Sequence, residues 1–98
     1  MRARTGELRR EVIEGYVTEV VDGDTFVLDV DRHARWNSRS YDDVERVRLQ
    51  NVSAPELSTS VGRAALARLR ARIQGRRVRV EIHARDRYGW LIGIARLA

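Results

Sequence analysis

At 98 residues, the chain is long enough for one small domain with a single modest hydrophobic core. The absence of cysteine excludes disulfide frameworks, zinc–thiolate sites and thiol nucleophiles. All 19 basic residues are arginine and outnumber the 14 acids; the net charge of +5 favours polyanionic partners, although a solvated charged surface accounts for it as well. No apolar run approaches the ~20 residues of a membrane span, and residues 1–10 lack the apolar core of a signal peptide, so we expect a cytoplasmic protein without a membrane partner.

The N-terminal stretch and the first hairpin differ in pattern. Residues 1–13 mix arginine and glutamate without a clear period, which predicts a flexible or weakly helical lead-in. The folded domain is therefore expected over residues 14–98. Residues 14–20 and 26–30 are rich in β-branched and aromatic side chains and predict two strands around a tight turn.

The turn between these strands, Asp22-Gly23-Asp24-Thr25, carries two carboxylates within three residues. A hard cation could bind there, beside a glycine that tolerates positive φ and a threonine that can bond the local backbone. Asp-Gly is also ordinary hairpin chemistry, and for the turn taken alone this is the interpretation we favour.

Residues 31–45 form a polar, turn-rich segment that is long for a hairpin connection and predicts an extended loop. Trp36 and Tyr41 are interleaved with arginines in this segment, so their rings could stack on nucleic-acid bases. Long loops also need aromatic anchors that hold them against a barrel, and this simpler role is the one we favour.

Residues 46–52 alternate apolar and polar side chains and predict a third strand, with Arg48 aimed away from the core. The single proline of the chain ends this strand and places the carboxylate of Glu56 just beyond it. A helix is predicted over residues 59–74, with Gly75 as its left-handed stop.

The largest local charge excess lies in residues 57–80, which contain seven arginines and no acid. Residues 77–83 alternate almost perfectly and predict a fourth strand, whose outer face carries Arg77 and Arg79 as a candidate electrostatic surface for nucleic acid. Residues 90–97 are more apolar and predict an enclosed fifth strand.

The predicted order is three strands, one helix and two further strands, joined mostly by short connections. This order is typical of a five-stranded Greek-key barrel of the OB type, so the predicted fold class is mainly β with one helix. No internal repeat or low-complexity segment in the sequence suggests another architecture.

Four short motifs occur in order along this plan and resemble those of the staphylococcal nuclease (thermonuclease-like) family. The motifs are Asp22-Gly23-Asp24-Thr25, the segment RLQNVSAPE from Arg48 to Glu56, Gly62 with Ala65, and Asp86-Arg87-Tyr88-Gly89. The resemblance covers residues 14–97. It implies an OB barrel with calcium-dependent phosphodiesterase activity on DNA and RNA.

The resemblance also implies roles for single residues. Asp24 matches an aspartate that binds Ca²⁺, Arg48 an arginine that grips the scissile phosphate, and Glu56 the glutamate that assists the attacking water. A dication and guanidinium groups would offset the charge that builds on a pentacoordinate phosphate. The family's substrate phosphate pocket is lined by a stretch that matches Asp86, Arg87 and Tyr88.

Two positions depart from the family pattern. Ser53 stands where the family has its second calcium aspartate, so we expect Ca²⁺ binding to be weak or absent. Trp90 stands where the family has its second phosphate arginine, and an indole cannot donate a bidentate pair of hydrogen bonds. Trp90 could instead stack on a base, or merely close the mouth of the pocket, which is the role we favour.

These observations leave three functional hypotheses. The chain could be a working Ca²⁺-dependent nuclease, a barrel that binds nucleic acid without cutting it, or a structural or protein-interaction module that retains only the fold. We favour the second hypothesis, a degenerate nuclease-like domain that binds single-stranded DNA or RNA with little or no cleavage. The sequence leaves open whether the chain is an enzyme and in which oligomeric state it works.

Overall fold

The computed structural model describes residues 9–98, and residues 1–8 of the predicted lead-in (1–13) lie outside this range. Residues 9–98 form five strands and one α-helix of 14 residues. The elements in chain order are β1 Glu11–Asp22, β2 Thr25–His33, β3 Val44–Leu49, α1 Ser60–Ile73, β4 Arg77–Arg85 and β5 Leu91–Leu97.

The strands close into a barrel in the order β1-β2-β3-β5-β4, and β1 pairs with both β2 and β4. All pairings are antiparallel except that of β3 with β5, which is parallel. The predicted fold class, a mainly β five-stranded barrel of the OB type with one helix, is confirmed. Within residues 9–98, no helix is long and apolar enough to cross a lipid bilayer.

The barrel begins earlier in the chain than the sequence predicts. Glu11–Ile13, assigned from sequence to the lead-in, are the first residues of β1. They pair with β4, where Glu11 lies opposite Ile82 and Ile13 opposite Val80. Ile13 is fully buried, so these residues belong to the core rather than to a free tail.

The barrel interior is filled by alternate residues of every strand, as the period of two predicts. Its fully buried side chains are Ile13, Val17, Val20, Phe26, Leu28, Val47, Val78, Val80 and Leu91. The helix covers the barrel with Ile73, which is buried, and with Leu66 and Leu69, which are partly buried. Thr59 is the N-cap of α1 and accepts a hydrogen bond from the Gly62 N–H, while Gly75 ends the helix with φ +75° as predicted.

The long loop between β2 and β3 is held by the first residue of β1. The Glu11 carboxylate accepts four hydrogen bonds from the loop, at 2.7–3.2 Å, from Ser38 N and Oγ, Arg39 N and the Tyr41 hydroxyl. Burial acts against this charge, but the hydrogen bonds outweigh it and lower the pKa of Glu11 to about 2. Tyr41 therefore has the anchoring role predicted for it.

Candidate nucleic-acid-binding site

The β1–β2 turn directs Asp24 into the protein rather than into solvent. The Asp24 side chain accepts a hydrogen bond from Thr25 Oγ1 at Oδ1 (2.8 Å) and one from Ala54 N at Oδ2 (3.2 Å). Its backbone carbonyl accepts from Leu49 N (2.7 Å). Asp24 is only 9% exposed, so this carboxylate joins the turn to β3 and to the corner that follows it.

The pKa values of Asp22 and Asp24 are shifted in opposite directions. Burial alone would raise the pKa of Asp24, but hydrogen bonds with Asp22, Thr25 and Ala54 lower it. For Asp22, burial and the neighbouring Asp24 carboxylate both raise the pKa. Arg48 also helps to keep Asp24 ionised. The ionised form is therefore favoured more strongly for Asp24 than for Asp22.

Small residues bring the turn, the corner and the helix into contact. A Cβ on Gly23 would lie 2.7 Å from the Ala65 Cβ and 2.8 Å from the Ala54 Cβ. A Cβ on Gly62 would lie 1.9 Å from the carbonyl oxygen of Glu56. We call this packed region the turn–corner junction; its residues are Gly23, Asp24, Ala54, Gly62 and Ala65. Its geometry gives the small residues of the sequence motifs a structural purpose.

Glu56 lies beside the junction but faces outward. Its backbone carbonyl accepts hydrogen bonds from Thr59 N (3.0 Å) and Thr59 Oγ1 (2.7 Å), which fix the start of α1. Within residues 9–98 its carboxylate has no hydrogen-bond partner and the residue is exposed. Ser53 is exposed as well.

The described residues around Asp24 offer few charged oxygens to a calcium ion. Among the residues that the structure describes, no three histidine, aspartate or glutamate side chains are close enough together to hold a metal ion. Both oxygens of Asp24 already accept hydrogen bonds from the protein, and Ser53 offers a neutral hydroxyl. Ca²⁺ takes six to eight oxygen ligands and its affinity follows their charge, so we expect Ca²⁺ binding by this donor set to be weak or absent.

Arginine and aromatic side chains share an open face on β3 and the start of β5. Arg46 and Arg48 point outward from β3, and the parallel register that sets Val47 opposite Leu91 places Arg46 beside Trp90. The Arg46 Cζ lies 4.8 Å from the centre of the Trp90 ring. Tyr88 packs against the same indole, with 5.6 Å between ring centres. We call this surface, formed by Arg46, Arg48, Tyr88 and Trp90, the β3–β5 face.

Arg48 and Ser53 also line a shallow cleft of about 460 Å³ next to this face, together with Asn51 and Ile92. Arg48 is exposed and lies opposite Thr25 on β2 and Ile92 on β5. Among residues 9–98 it has no ion-pair partner, so its guanidinium is available to a ligand.

The turn before β5 is built by Asp86. Its Oδ1 accepts hydrogen bonds from Tyr88 N (2.8 Å) and Trp90 N (2.9 Å), and its own N–H donates to the Trp90 carbonyl (2.8 Å). Arg87 is exposed and donates to the Tyr88 hydroxyl (3.1 Å). Asp86 therefore orients the aromatic residues, whereas Tyr88 and Trp90 are the ones that face outward.

An ion pair between the buried Glu45 and Arg85, behind this turn, was not singled out from the sequence. The Glu45 side chain is only 4% exposed, and its carboxylate accepts hydrogen bonds from Arg85 Nη1 at 3.1 Å and from Arg85 Nη2 at 3.3 Å. Arg85 Nη1 also donates to the Gly89 carbonyl (2.6 Å), so the pair supports the turn that carries Trp90. The hydrogen bond to Glu45 raises the pKa of Arg85. The alternation that predicts Val47 as buried also points Glu45 inward, and that was the available signal.

Arg77 and Arg79, predicted as an electrostatic face, lie apart from the β3–β5 face and are bound to acids. Arg77 reaches Asp31 at 2.6 Å and Glu14 at 3.1 Å, and Arg79 reaches Glu14 at 3.4 Å. The hydrogen bonds with Asp31 and Glu14 raise the pKa of Arg77. Arg77 is thus largely compensated within the protein, while Arg79 remains exposed.

Two curated proteins, from Escherichia coli O157:H7 and Escherichia coli, are each named "Uncharacterized endonuclease" and are 35% identical to the chain over 81 residues. The match covers 83% of the chain and 46% of each relative, so the chain spans about half the length of these relatives. No protein-family profile matches the chain. The closed barrel and these similarities are compatible with a nuclease-like OB fold.

Proposed function

We propose that the chain is a barrel domain of the staphylococcal nuclease type that binds single-stranded DNA or RNA on the β3–β5 face, with little or no cleavage. The observation that carries this proposal is the grouping of two outward guanidinium groups, Arg46 and Arg48, with the rings of Tyr88 and Trp90. Relatives named as endonucleases support nucleic acid as the ligand.

The β3–β5 face offers both of the contacts that single strands require. Guanidinium groups bind phosphate oxygens, and flat aromatic rings stack on bases irrespective of their identity. Arg48 is the free cation of the face, whereas Arg46 lies over Trp90 and would contact the strand together with the indole. Binding of this kind is independent of sequence and falls steeply with salt.

Weak or absent cleavage follows from the chemistry of the same region. Asp24 is engaged by Thr25 and Ala54, and Ser53 adds no charge, so we propose that Ca²⁺ binds no more tightly than at millimolar concentration. Trp90 adds no charge at the position of the second phosphate arginine. Loss of one such charge reduces phosphoryl-transfer rates by a factor of roughly a hundred to several thousand or more.

A working phosphodiesterase is the second candidate. The outward Glu56 carboxylate, which has no partner within the described chain, is free to orient a water molecule, and the curated relatives carry the name endonuclease. In this case Arg48 would bind the phosphate under attack and Glu56 would accept a proton from the water.

Binding and cleavage are measured on one labelled single-stranded oligonucleotide. We expect saturable binding by the parent protein, and Arg48→Gln should weaken it by about tenfold, because a charge-assisted contact to phosphate contributes roughly 1.5–3 kcal/mol at most. Arg70→Gln, an exposed arginine of the same charge on α1, is the matched control and should change the affinity little. Equal losses in both variants would show that the β3–β5 face is not the site.

Cleavage of the same oligonucleotide is then followed with Ca²⁺ and with a chelator. Product formation at the rate of an ordinary phosphodiesterase, lost in Glu56→Gln, would favour the second candidate. If the protein neither binds nor cleaves the oligonucleotide, the remaining hypothesis is a structural or protein-interaction module. A calcium titration followed by amide chemical shifts tests the metal separately, and saturation at micromolar Ca²⁺ would contradict the proposal.

A further inference from the structure

A second basic surface surrounds Trp36 and is formed by residues other than those of the β3–β5 face. Two clefts meet at this indole, one of about 670 Å³ and one of about 430 Å³, and Trp36, Val12 and Arg79 line both. We call the surface the Trp36 face. It shares no lining residue with the β3–β5 face; its arginines are Arg9, Arg10, Arg32, Arg35, Arg79 and Arg96.

The charge of the Trp36 face is strongly positive. Its two clefts are lined by six arginines and by two glutamates, Glu14 and Glu81. The Glu14 carboxylate forms ion pairs with Arg77 and Arg79, and Glu81 Oε2 lies 3.6 Å from His83 Nε2. Of the six arginines, Arg79 alone has an acidic partner among residues 9–98. The face therefore has an excess of positive charge, which favours an anion with several charges.

Trp36 is held in place at the centre of these charges. Its Nε1 donates to the Arg10 carbonyl (2.8 Å), and the Arg9 Cζ lies 4.5 Å from the ring centre. The side chain nevertheless remains 36% exposed. Asn37 ties the next residue to β1, since it donates to the Val12 carbonyl (2.7 Å) and accepts from the Val12 N–H (3.0 Å). The indole is thus a flat ring fixed by its hydrogen bond, with the Arg9 guanidinium near it and part of its surface exposed.

We propose that the Trp36 face is a second site for single-stranded nucleic acid, in which arginines bind successive phosphodiester groups and a base packs against Trp36. Fixed aromatic rings lose little conformational entropy when a base stacks on them. An acidic peptide would satisfy the arginines equally well but would leave the indole without a flat partner. The ligand class is that of the proposed function, whereas the surface is separate, so either site can exist without the other.

The two tryptophans of the chain allow the two faces to be observed separately. In Trp90→Phe the emission comes from Trp36 alone, and in Trp36→Phe it comes from Trp90 alone. Each variant is titrated with a single-stranded oligothymidylate at several salt concentrations. We expect saturable quenching of Trp36 in Trp90→Phe, with an affinity that falls as salt rises.

Charge removal assigns the signal to the clefts. In the Trp90→Phe background, Arg79→Gln with Arg96→Gln should lower the slope of log affinity against log salt by about 1.4, at ~0.7 per phosphate contact. Arg32→Gln with Arg35→Gln, in a different part of the face, is a second test that does not depend on β4 or β5. Arg70→Gln with Arg72→Gln is the matched control on exposed helix residues and should leave the quenching of Trp36 unchanged.

Each result supports or overturns the inference. Unchanged Trp36 emission at saturating oligothymidylate would overturn it, as would equal slopes for the Trp36-face variants and the helix control. Equal quenching by polyglutamate would assign the face to acidic proteins instead. Silence of Trp90 in Trp36→Phe would count against the proposed function alone, so the failure of one site is distinguishable from the failure of the other.

Discussion

The turn–corner junction and the β3–β5 face come from the same short motifs but use their residues in opposite ways. In the junction, both oxygens of Asp24 accept hydrogen bonds from the protein, and glycine and alanine are packed without free space. On the β3–β5 face, Arg48 and the ring of Tyr88 are left to solvent. The motifs thus support the fold through the acid and the glycines and offer a ligand the cation of the neighbouring strand, Arg48.

The largest expected effect breaks the junction at Gly62. Gly62→Ala puts a Cβ 1.9 Å from the Glu56 carbonyl oxygen, where backbone must move. We expect a loss of about 2–4 kcal/mol in the free energy of unfolding, measured by denaturant titration, even though alanine is by itself the better helix former by ~1 kcal/mol.

The matched control for this substitution lies on the exposed side of the same helix. Ala67→Gly carries the opposite exchange and should cost only the intrinsic helix preference, about 1 kcal/mol. An unchanged or increased stability of Gly62→Ala would mean that α1 and the corner are not packed as tightly as described.

The second effect separates structure from binding at Asp24. Asp24→Asn retains one acceptor oxygen for two donors, so Thr25 Oγ1 or Ala54 N loses its partner. We expect destabilisation by about 1–3 kcal/mol, with little change in oligonucleotide affinity for the folded protein. Asp29→Asn, on the exposed side of β2, is the control. An unchanged free energy of unfolding together with a loss of oligonucleotide binding would place Asp24 in the ligand site instead.

The strands and the helix were predictable because their signals are local. Alternation in residues 77–83 and the glycine at position 75 depend only on neighbours in the chain, and both predictions are confirmed. Arg46 was not singled out, although the alternation that points Arg48 outward applies to it equally. Its partner Trp90 follows from the parallel pairing of β3 with β5, and the sequence does not show that register.

The residue of β1 that anchors the long loop, Glu11, was missed for a different reason. Glu11 reaches side chains and amides 27 to 30 residues away. Its surroundings in the sequence have no period, so nothing local marks it as part of β1. Asp86 shows a related limit, since its motif resembles a substrate-binding stretch while its contacts build the turn around Trp90.

The third effect sharpens the contrast by adding charge at the corner. Ser53→Asp places a second carboxylate near Asp24 and should tighten Ca²⁺ binding by about tenfold or more, because ligand charge sets calcium affinity. Isothermal titration of the parent, of Ser53→Asp and of Ser53→Asn compares added charge with a neutral residue of the same size. Equal affinities for the two variants would show that position 53 does not face the cation.

The smallest effect has the opposite sign and concerns Asp22. Because the pKa of Asp22 is raised in the fold, folding destabilises its ionised form relative to the unfolded chain, and Asp22→Asn keeps the acceptor for Asp24 N. We expect a gain of less than about 1 kcal/mol at pH 7, which disappears as the pH falls below the unfolded value of about 3.9, where Asp22 is protonated in both states. Thermal unfolding at pH 7 and pH 3 checks this, and a loss at pH 7 would contradict it.

The ladder between β3 and β5 has a consequence for local opening. It contains three residue pairs, against eight between β1 and β2, and it alone joins the strands that carry Arg48 and Trp90. Short ladders open more readily than long ones, and a strand of nucleic acid that touches both sides would hold them together. Ligand binding should therefore slow amide hydrogen exchange in this ladder more than in the β1–β2 ladder, so that the weakest closure of the barrel becomes the part that the ligand stabilises most.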